Sequence, residues 1–483
     1  FLAKQRKNHT FAARNNSEAM QIVGRKEEIN ELQRIYDSAS SEFVVVYGRR
    51  RVGKTFLVRE FFHDNFVFYA TGVARGNRKE QLAHFHNRLL RYGSSDEQTL
   101  PKDWFAAFER LEALVGKSKQ KRKVIFLDEL PWMDTQKSEF LKALELFWNE
   151  WASARNDIVL VVCGSAASWM VNKVINNHGG LHNRLTCRMK LLPFTLSETK
   201  EYLESQKFKW DNLSIAECYM ILGGIPYYLH LLDKSRSLAQ NIDRLFFSES
   251  ALLADEFDNL YNSLFSKSED YVRIVETLSK KKSGFTRDEI AKGSKLSNGG
   301  GLTRKLVALE QCGFIRKFKT IGEVPFTYQL TDCFTLFYFQ FLKSGLYSDQ
   351  ETWMHLLTTN TCTTWRGLAF ERLCFAHLQK IKQKLGISGI LTNTCSYYSS
   401  QAQVDMVIER IDRAVTVCEM KFSEQPYAIT KSEWDKIEIR LKEVQRHFKR
   451  KTLFFAMITS NGLASNKYSI NYVQQEITLE DFF

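Results

Sequence analysis

With 483 residues, the chain is long enough for roughly two to four domains with their own apolar cores, which excludes a peptide hormone or a disulfide mini-protein. Hydrophobic residues at 44% and charged residues at 25% sit near globular averages, so neither a disordered nor a fibrous chain is expected. The 68 Lys and Arg outnumber the 55 Asp and Glu, and the resulting charge of +13 favours polyanionic partners.

Nine cysteines, scattered singly without a CxxC pair, read as a reduced, cytoplasmic chain, and no Cys/His array has zinc spacing. The longest apolar stretch, from Ile158 toward Val171, is broken by Gly164, Ser165 and Ser168 and falls short of the roughly 20 residues of a membrane helix. No membrane span is expected. Residues 1–19 are polar and basic and are read as a tail or appended remnant, with Met20 as a natural start.

Along the chain, residues 20–195 alternate short apolar runs with amphipathic stretches, the signature of an α/β fold with a parallel sheet. Strands are predicted at Phe43–Tyr47, Phe66–Ala70, Val124–Asp128, Ile158–Cys163 and Met189–Leu192, with helices at Glu27–Ser38, Arg78–Tyr92 and Lys137–Ala154. Residues 196–265 lose the strand pattern and are predicted to form a helical lid. Residues 266–332 show three helices, a Ser297–Gly301 turn before the third, and then a β pattern at Phe314–Thr320 and Thr327–Leu330. That order predicts a winged helix, with Arg304, Lys305, Arg316, Lys317 and Lys319 available for phosphate contacts. A helical connector, 333–361, includes an aromatic-rich helix at Phe334–Tyr347. It precedes a second α/β domain at 362–483, with a helix at Trp365–Lys380, strands at Val404–Glu409, Ala414–Phe422 and Leu453–Thr459, and a helix at Lys431–Lys449.

Gly48-Arg49-Arg50-Arg51-Val52-Gly53-Lys54-Thr55 matches the GxxxxGK[ST] phosphate loop, directly after an apolar strand and at the opening of a helix. Glycines let backbone N–H groups wrap phosphates, Lys54 reaches the β- and γ-phosphates, and the Thr55 hydroxyl is placed for a magnesium ion. About 80 residues downstream, Val124–Leu127 runs into Asp128 and Glu129, on a strand expected to neighbour the phosphate-loop strand. Asp128 is predicted to hold magnesium and Glu129 to orient or deprotonate the attacking water. The strand ending at Cys163 is expected between the two phosphate motifs, making Ser165 a candidate γ-phosphate sensor or a plain turn serine.

These residues resemble the archaeal-type ATPases of the AAA+/STAND group that carry a C-terminal restriction-endonuclease-like domain. The resemblance runs over nearly the whole chain from residue 21. Its marks are Ile22–Glu27, Tyr47–Thr55, Leu127–Trp132 and Gly223–Tyr228. It implies that ATP and Mg2+ are the cofactors, that Val23 and Gly24 border the adenine, and that Pro226 closes over the base or ribose. Arg184, in Leu181-His182-Asn183-Arg184, is similar to the arginine that such proteins place near the γ-phosphate, although the commoner form reads Tyr-Gly-Arg.

Glu371, Asp405, Glu419 and Lys421 fit the order of a PD-(D/E)xK nuclease core: an acid on a helix, an acid on a strand, then E-x-K on the next. Period-two alternation puts Glu419 and Lys421 on one strand face, and Asp405 with Glu419 is the expected metal pair. A hairpin with one solvated face is the alternative. The whole reads as a cytoplasmic Mg-ATP-dependent ATPase controlling a winged helix and a nuclease-like domain on DNA. Two other readings stay open: a regulatory switch whose inactive nuclease-like region binds a protein partner, and a winged-helix transcription regulator. A homo-oligomer is compatible with each.

Overall fold

The computed structural model describes residues 22–93, 99–177, 179–181, 183–265, 267–322, 326–343 and 352–483. The basic tail 1–19, His182 of the arginine motif and the end of the Phe334–Tyr347 stretch lie outside them. Within the described residues the chain falls into two compact units, one drawn from 22–45, 53–163 and 183–189, the other from 46–52, 164–181 and 190–483.

The first sheet has strands β1 (Glu42–Tyr47), β2 (Phe68–Thr71), β3 (Lys123–Asp128), β4 (Ile158–Gly164) and β5 (Cys187–Lys190) in the order β2-β3-β4-β1-β5. β2 pairs with β3 and β3 with β4 in parallel. This corrects one expectation. The Asp128 strand does not neighbour the phosphate-loop strand, because β4 lies between them, while β4 takes the position expected for it. Local pattern identifies a strand, whereas order depends on crossover connections that leave no local trace.

β3 and β4 read as unbroken apolar runs because helices cover both faces of a parallel sheet. Val124, Ile125, Phe126 and Leu127 are at most 1% exposed, each worth about 1.5–3 kcal/mol of burial. One covering helix, Trp104–Gly116, escaped the sequence reading. Its stripe of Trp104, Ala107, Phe108, Leu111 and Val115 is wholly buried, and Asp103 caps it by accepting from the Ala106 N–H at 2.9 Å.

Residues 196–264 are helical at Leu196–Ser205, Asn212–Leu222, Pro226–His230, Leu238–Ile242 and Glu256–Leu264. Thr195 with Glu198 forms a reciprocal cap on the first of these. Helices Ser268–Ser279, Arg287–Ser294 and Gly300–Gln311 then precede an antiparallel hairpin of β6 (Ile315–Gly322) and β7 (Phe326–Leu330), with Phe285 bridging to Tyr328.

The hairpin does not stand alone. β6 pairs in parallel with β8 (Thr392–Tyr398), a strand the sequence reading did not foresee, through Thr320–Gly322 against Ser396–Tyr398. With β9 (Gln403–Arg410), β10 (Ala414–Lys421), β11 (Thr452–Thr459) and β12 (Gln475–Thr478), it forms one seven-stranded mixed sheet, ordered β12-β11-β10-β9-β8-β6-β7. The meander β8-β9-β10 is antiparallel, and β11 joins β10 in parallel after the helix Lys431–His447. One face of this sheet packs on that helix through Val404, Val415, Val417 and Phe455 against Trp434, Ile437 and Val444.

Candidate functional site

Lys54 opens the helix Lys54–Phe61, and Gly53 ahead of it has φ +89°, a left-handed conformation that glycine adopts without steric cost. Arg51 is also left-handed at φ +72°. Gly48 is required for a second reason: a Cβ there would lie 2.2 Å from the Leu191 carbonyl oxygen. Successive turns of this kind point backbone N–H groups toward one concavity, the form of a phosphate cradle.

Within the first unit, the Thr55 hydroxyl donates to Asp128 Oδ2 at 2.8 Å. Asp128 is 4% exposed at the end of β3, and its Oδ1 accepts from the Glu129 N–H at 2.9 Å. Glu129 leaves the strand in a left-handed turn, φ +47°. Beside it, a Cβ on Gly72 would meet the Glu129 carbonyl oxygen at 2.5 Å, so the small residue lets the β2 end approach. Lys54 is 5% exposed. Cys163, at the end of β4, has its thiol pKa raised by burial and by the nearby Asp128 carboxylate. It therefore stays a neutral thiol beside Asp128. A hydroxyl and a buried carboxylate in hydrogen-bond contact, next to a buried lysine, fit a nucleotide-bound magnesium ion.

The remaining predicted ATP-site residues fall as follows. Val23 and Gly24 precede the helix Lys26–Tyr36, with Gly24 at φ +65°. Arg184 lies exposed in a turn of the first unit, and Ser165 is 8% exposed in the second. Pro226 is the first residue of Pro226–His230, and the next N–H, of Tyr227, reaches the Arg51 carbonyl at 3.5 Å.

The side chains of the loop arginines depart from the cofactor-binding expectation. Arg49 is buried and ion-paired with Asp332, and its guanidinium stacks 4.7 Å from the Phe314 ring. Arg51 is ion-paired with Glu256 and stacks 4.2 Å from the Tyr227 ring. Glu256 also accepts from the Tyr228 hydroxyl at 2.5 Å. Both guanidinium heads are thus committed to carboxylates. Neither acid was singled out in sequence, because no local pattern joins residue 49 to 332 or 51 to 256.

The C-terminal acids pair with cations of the chain itself. Glu371, on the helix Asn360–Ala376, and Asp405, on β9, both bind Lys282 Nζ, at 2.6 and 2.9 Å. Glu419, on β10, pairs with Lys421 at 3.1 Å and with Arg440 at 2.8 Å. Among the described residues, no group of three or more His, Cys, Asp or Glu side chains is placed to hold a metal ion. In this structure the two acids of the expected Asp405–Glu419 metal pair hold cations of the chain itself, Lys282 on Asp405 and Lys421 with Arg440 on Glu419. Lys282 sits on the turn after Ser268–Ser279 and carried no motif signal.

Lys282, Arg316, Arg372, Glu371 and Asp405 line one small cavity. Burial, reinforced by Asp405, lifts the Glu371 carboxyl to about 7 against the pull of Lys282. Burial works to lower the Lys282 pKa, but Asp405 and Glu371 outweigh it and hold the ammonium above its ordinary value. Burial together with the neighbouring Arg372 lowers Arg316 to about 9. Arg316 binds Gln329 Oε1 at 2.8 Å and stacks on Phe375. It is therefore withdrawn from the phosphate-contact set, whereas Arg304, Lys317 and Lys319 are exposed.

Residues 22–232 match the family described as an ATPase domain predominantly from Archaea. An uncharacterized protein of Methanocaldococcus jannaschii is 29% identical over 339 residues, 68% of this chain and 71% of its own. An uncharacterized ATP-binding protein of the same organism is 40% identical over 46 residues, 10% of this chain and 78% of its own. Among solved structures, the Walker-type ATPase of Pyrococcus abyssi is similar at 17% identity and a TM-score of 0.48, covering 66% of this chain and 96% of that one.

Proposed function

From the premise that residues 22–232 are an ATP-binding ATPase domain of this predominantly archaeal family, we propose a Mg-dependent switch whose nucleotide state controls a DNA-binding winged helix and a nuclease-like module held in a non-cutting state. The observation that carries the ATPase part is the Thr55–Asp128 contact beside buried Lys54. Lys54 binds the β- and γ-phosphates, Thr55 and Asp128 hold the metal, and Glu129 orients water for attack. When bound, magnesium neutralises charge on the phosphate oxygens. Ser165 and Arg184 complete the reading as γ-phosphate contacts.

The order of helix, bridge, helix, helix and hairpin in 268–330 supports the winged helix. DNA is supported by the charge of +13 and by exposed Arg304, Lys317 and Lys319. The helix, antiparallel meander, helix and parallel strand of 360–459 support the nuclease-like fold. Lys282 across Glu371 and Asp405 favours the non-cutting form over an open nuclease.

ATP turnover measured with and without duplex DNA tests the reading, with Lys317→Ala/Lys319→Ala beside the wild type. DNA-stimulated turnover that weakens in the double variant supports it. Turnover indifferent to any DNA, with no DNA binding at low salt, overturns the DNA assignment and leaves a protein-directed switch.

A further inference from the structure

The phosphate loop of a 22–232 ATPase domain is anchored by residues that lie outside that domain. Asp332 and Glu256, the partners of Arg49 and Arg51, are 100 and 24 residues past its end, counted as 332 − 232 and 256 − 232. Both carboxylates are nearly inaccessible, with side chains 3% and 2% exposed. Ion pairs so placed are geometrically demanding, because a shift of either partner removes the opposite charge that compensates the other for lost water.

Each anchor is tied further into its own element. Asp332 Oδ2 accepts from the Thr335 N–H at 2.9 Å and its hydroxyl at 2.6 Å, so the acid that holds Arg49 also caps the helix Cys333–Phe337. Glu256 begins the helix Glu256–Leu264 and is held by Tyr228. Arg51 meanwhile contacts Tyr227 twice, through its ring and through its own carbonyl. Three segments beyond the loop therefore grip two alternate residues of it, and between them they fix the left-handed turn at Arg51. A non-glycine residue keeps such a turn only where its surroundings hold it.

We propose that Arg49 and Arg51 are positioning residues for ATP binding and hydrolysis, acting through Asp332 and Glu256 to set the shape of the phosphate loop. The same linkage carries nucleotide binding out to the helices Glu256–Leu264 and Cys333–Phe337. Coupling of this kind is reciprocal: a nucleotide that tightens the loop tightens the anchors, and a loosened anchor weakens the nucleotide by the same factor.

The test uses the full chain carrying Glu256→Gln, Asp332→Asn or Arg51→Lys. Each variant is checked for folding by thermal melt, then titrated with ATP and assayed for turnover. Folded Glu256→Gln and Asp332→Asn should bind ATP about tenfold more weakly. Arg51→Lys, which keeps the charge but not the planar stacking, should show a smaller loss. In the wild type, hydrogen exchange in 256–264 and 333–337 should slow on addition of a non-hydrolysable ATP analogue, and Lys54→Ala should abolish that response. Should Asp332→Asn fail to fold, Glu256→Gln and the exchange measurement decide. Variants that melt lower yet keep wild-type ATP affinity and kcat, with exchange unmoved by nucleotide, would show a merely structural role and overturn the proposal.

Discussion

The phosphate motifs and the C-terminal domain both place carboxylates on or beside a sheet, yet they give them different partners. Asp128 accepts hydrogen bonds from the Thr55 hydroxyl and the Glu129 N–H. Glu371, Asp405 and Glu419 are instead met by Lys282, Lys421 and Arg440. Both kinds of partner stabilise the charged carboxylate, but a cation of the chain already seated on it has to be displaced before a metal ion can bind. The residue types resemble active sites in both places, but in the second each acid already holds a cation of the chain itself.

The largest effect expected from this contrast is at Lys54. Lys54→Ala should lower ATP turnover by about a hundredfold or more, measured as phosphate release. Glu129→Gln should come close to it in turnover while leaving ATP binding intact, because it removes the water-orienting carboxylate and not the phosphate contact. At the other site, Lys282→Met should leave two carboxylates facing each other and cost about 2 kcal/mol. Manganese should raise the melting temperature of that variant and not of the wild type, by the linkage of ligand binding to stability. An equal manganese response in both proteins would mean that Lys282 does not close the seat.

The smallest effect concerns the base of the ATPase sheet. Hydrogen bonds from Arg155, then from Lys123 at the start of β3, hold Asp157 at about 2, below its ordinary value. A lowered carboxylate contributes stability above the unfolded value near 3.8 and loses it as the pH falls through about 2. Urea melts should therefore show Asp157→Asn losing its deficit relative to the wild type between pH 4 and pH 2.

Sequence alone carried the phosphate site further than the acid site for a physical reason. The glycines, Lys54 and Thr55 act within one turn, and Asp128 is marked by the apolar run that ends at it, so each role is written locally. Helix starts were equally local: Asn77 with Glu80 and Thr430 with Glu433 form reciprocal caps that announce their helices. The joining of β6 to β8 and the grip of Lys282 on Glu371 and Asp405 depend on contacts across 76 to 123 residues. No window of sequence contains both partners. The alternation that set Glu419 and Lys421 on one face was legible, but it does not say whether the two would share a metal or pair with each other. The geometry chooses pairing.

The most direct test follows ATP hydrolysis and DNA integrity in the same tubes, with magnesium, for wild type, Lys54→Ala and Asp405→Asn. The account predicts hydrolysis that disappears in Lys54→Ala, persists in Asp405→Asn, and leaves the DNA intact throughout. DNA cut by the wild type and spared by Asp405→Asn would contradict it, since the C-terminal acids would then be working as an open metal site.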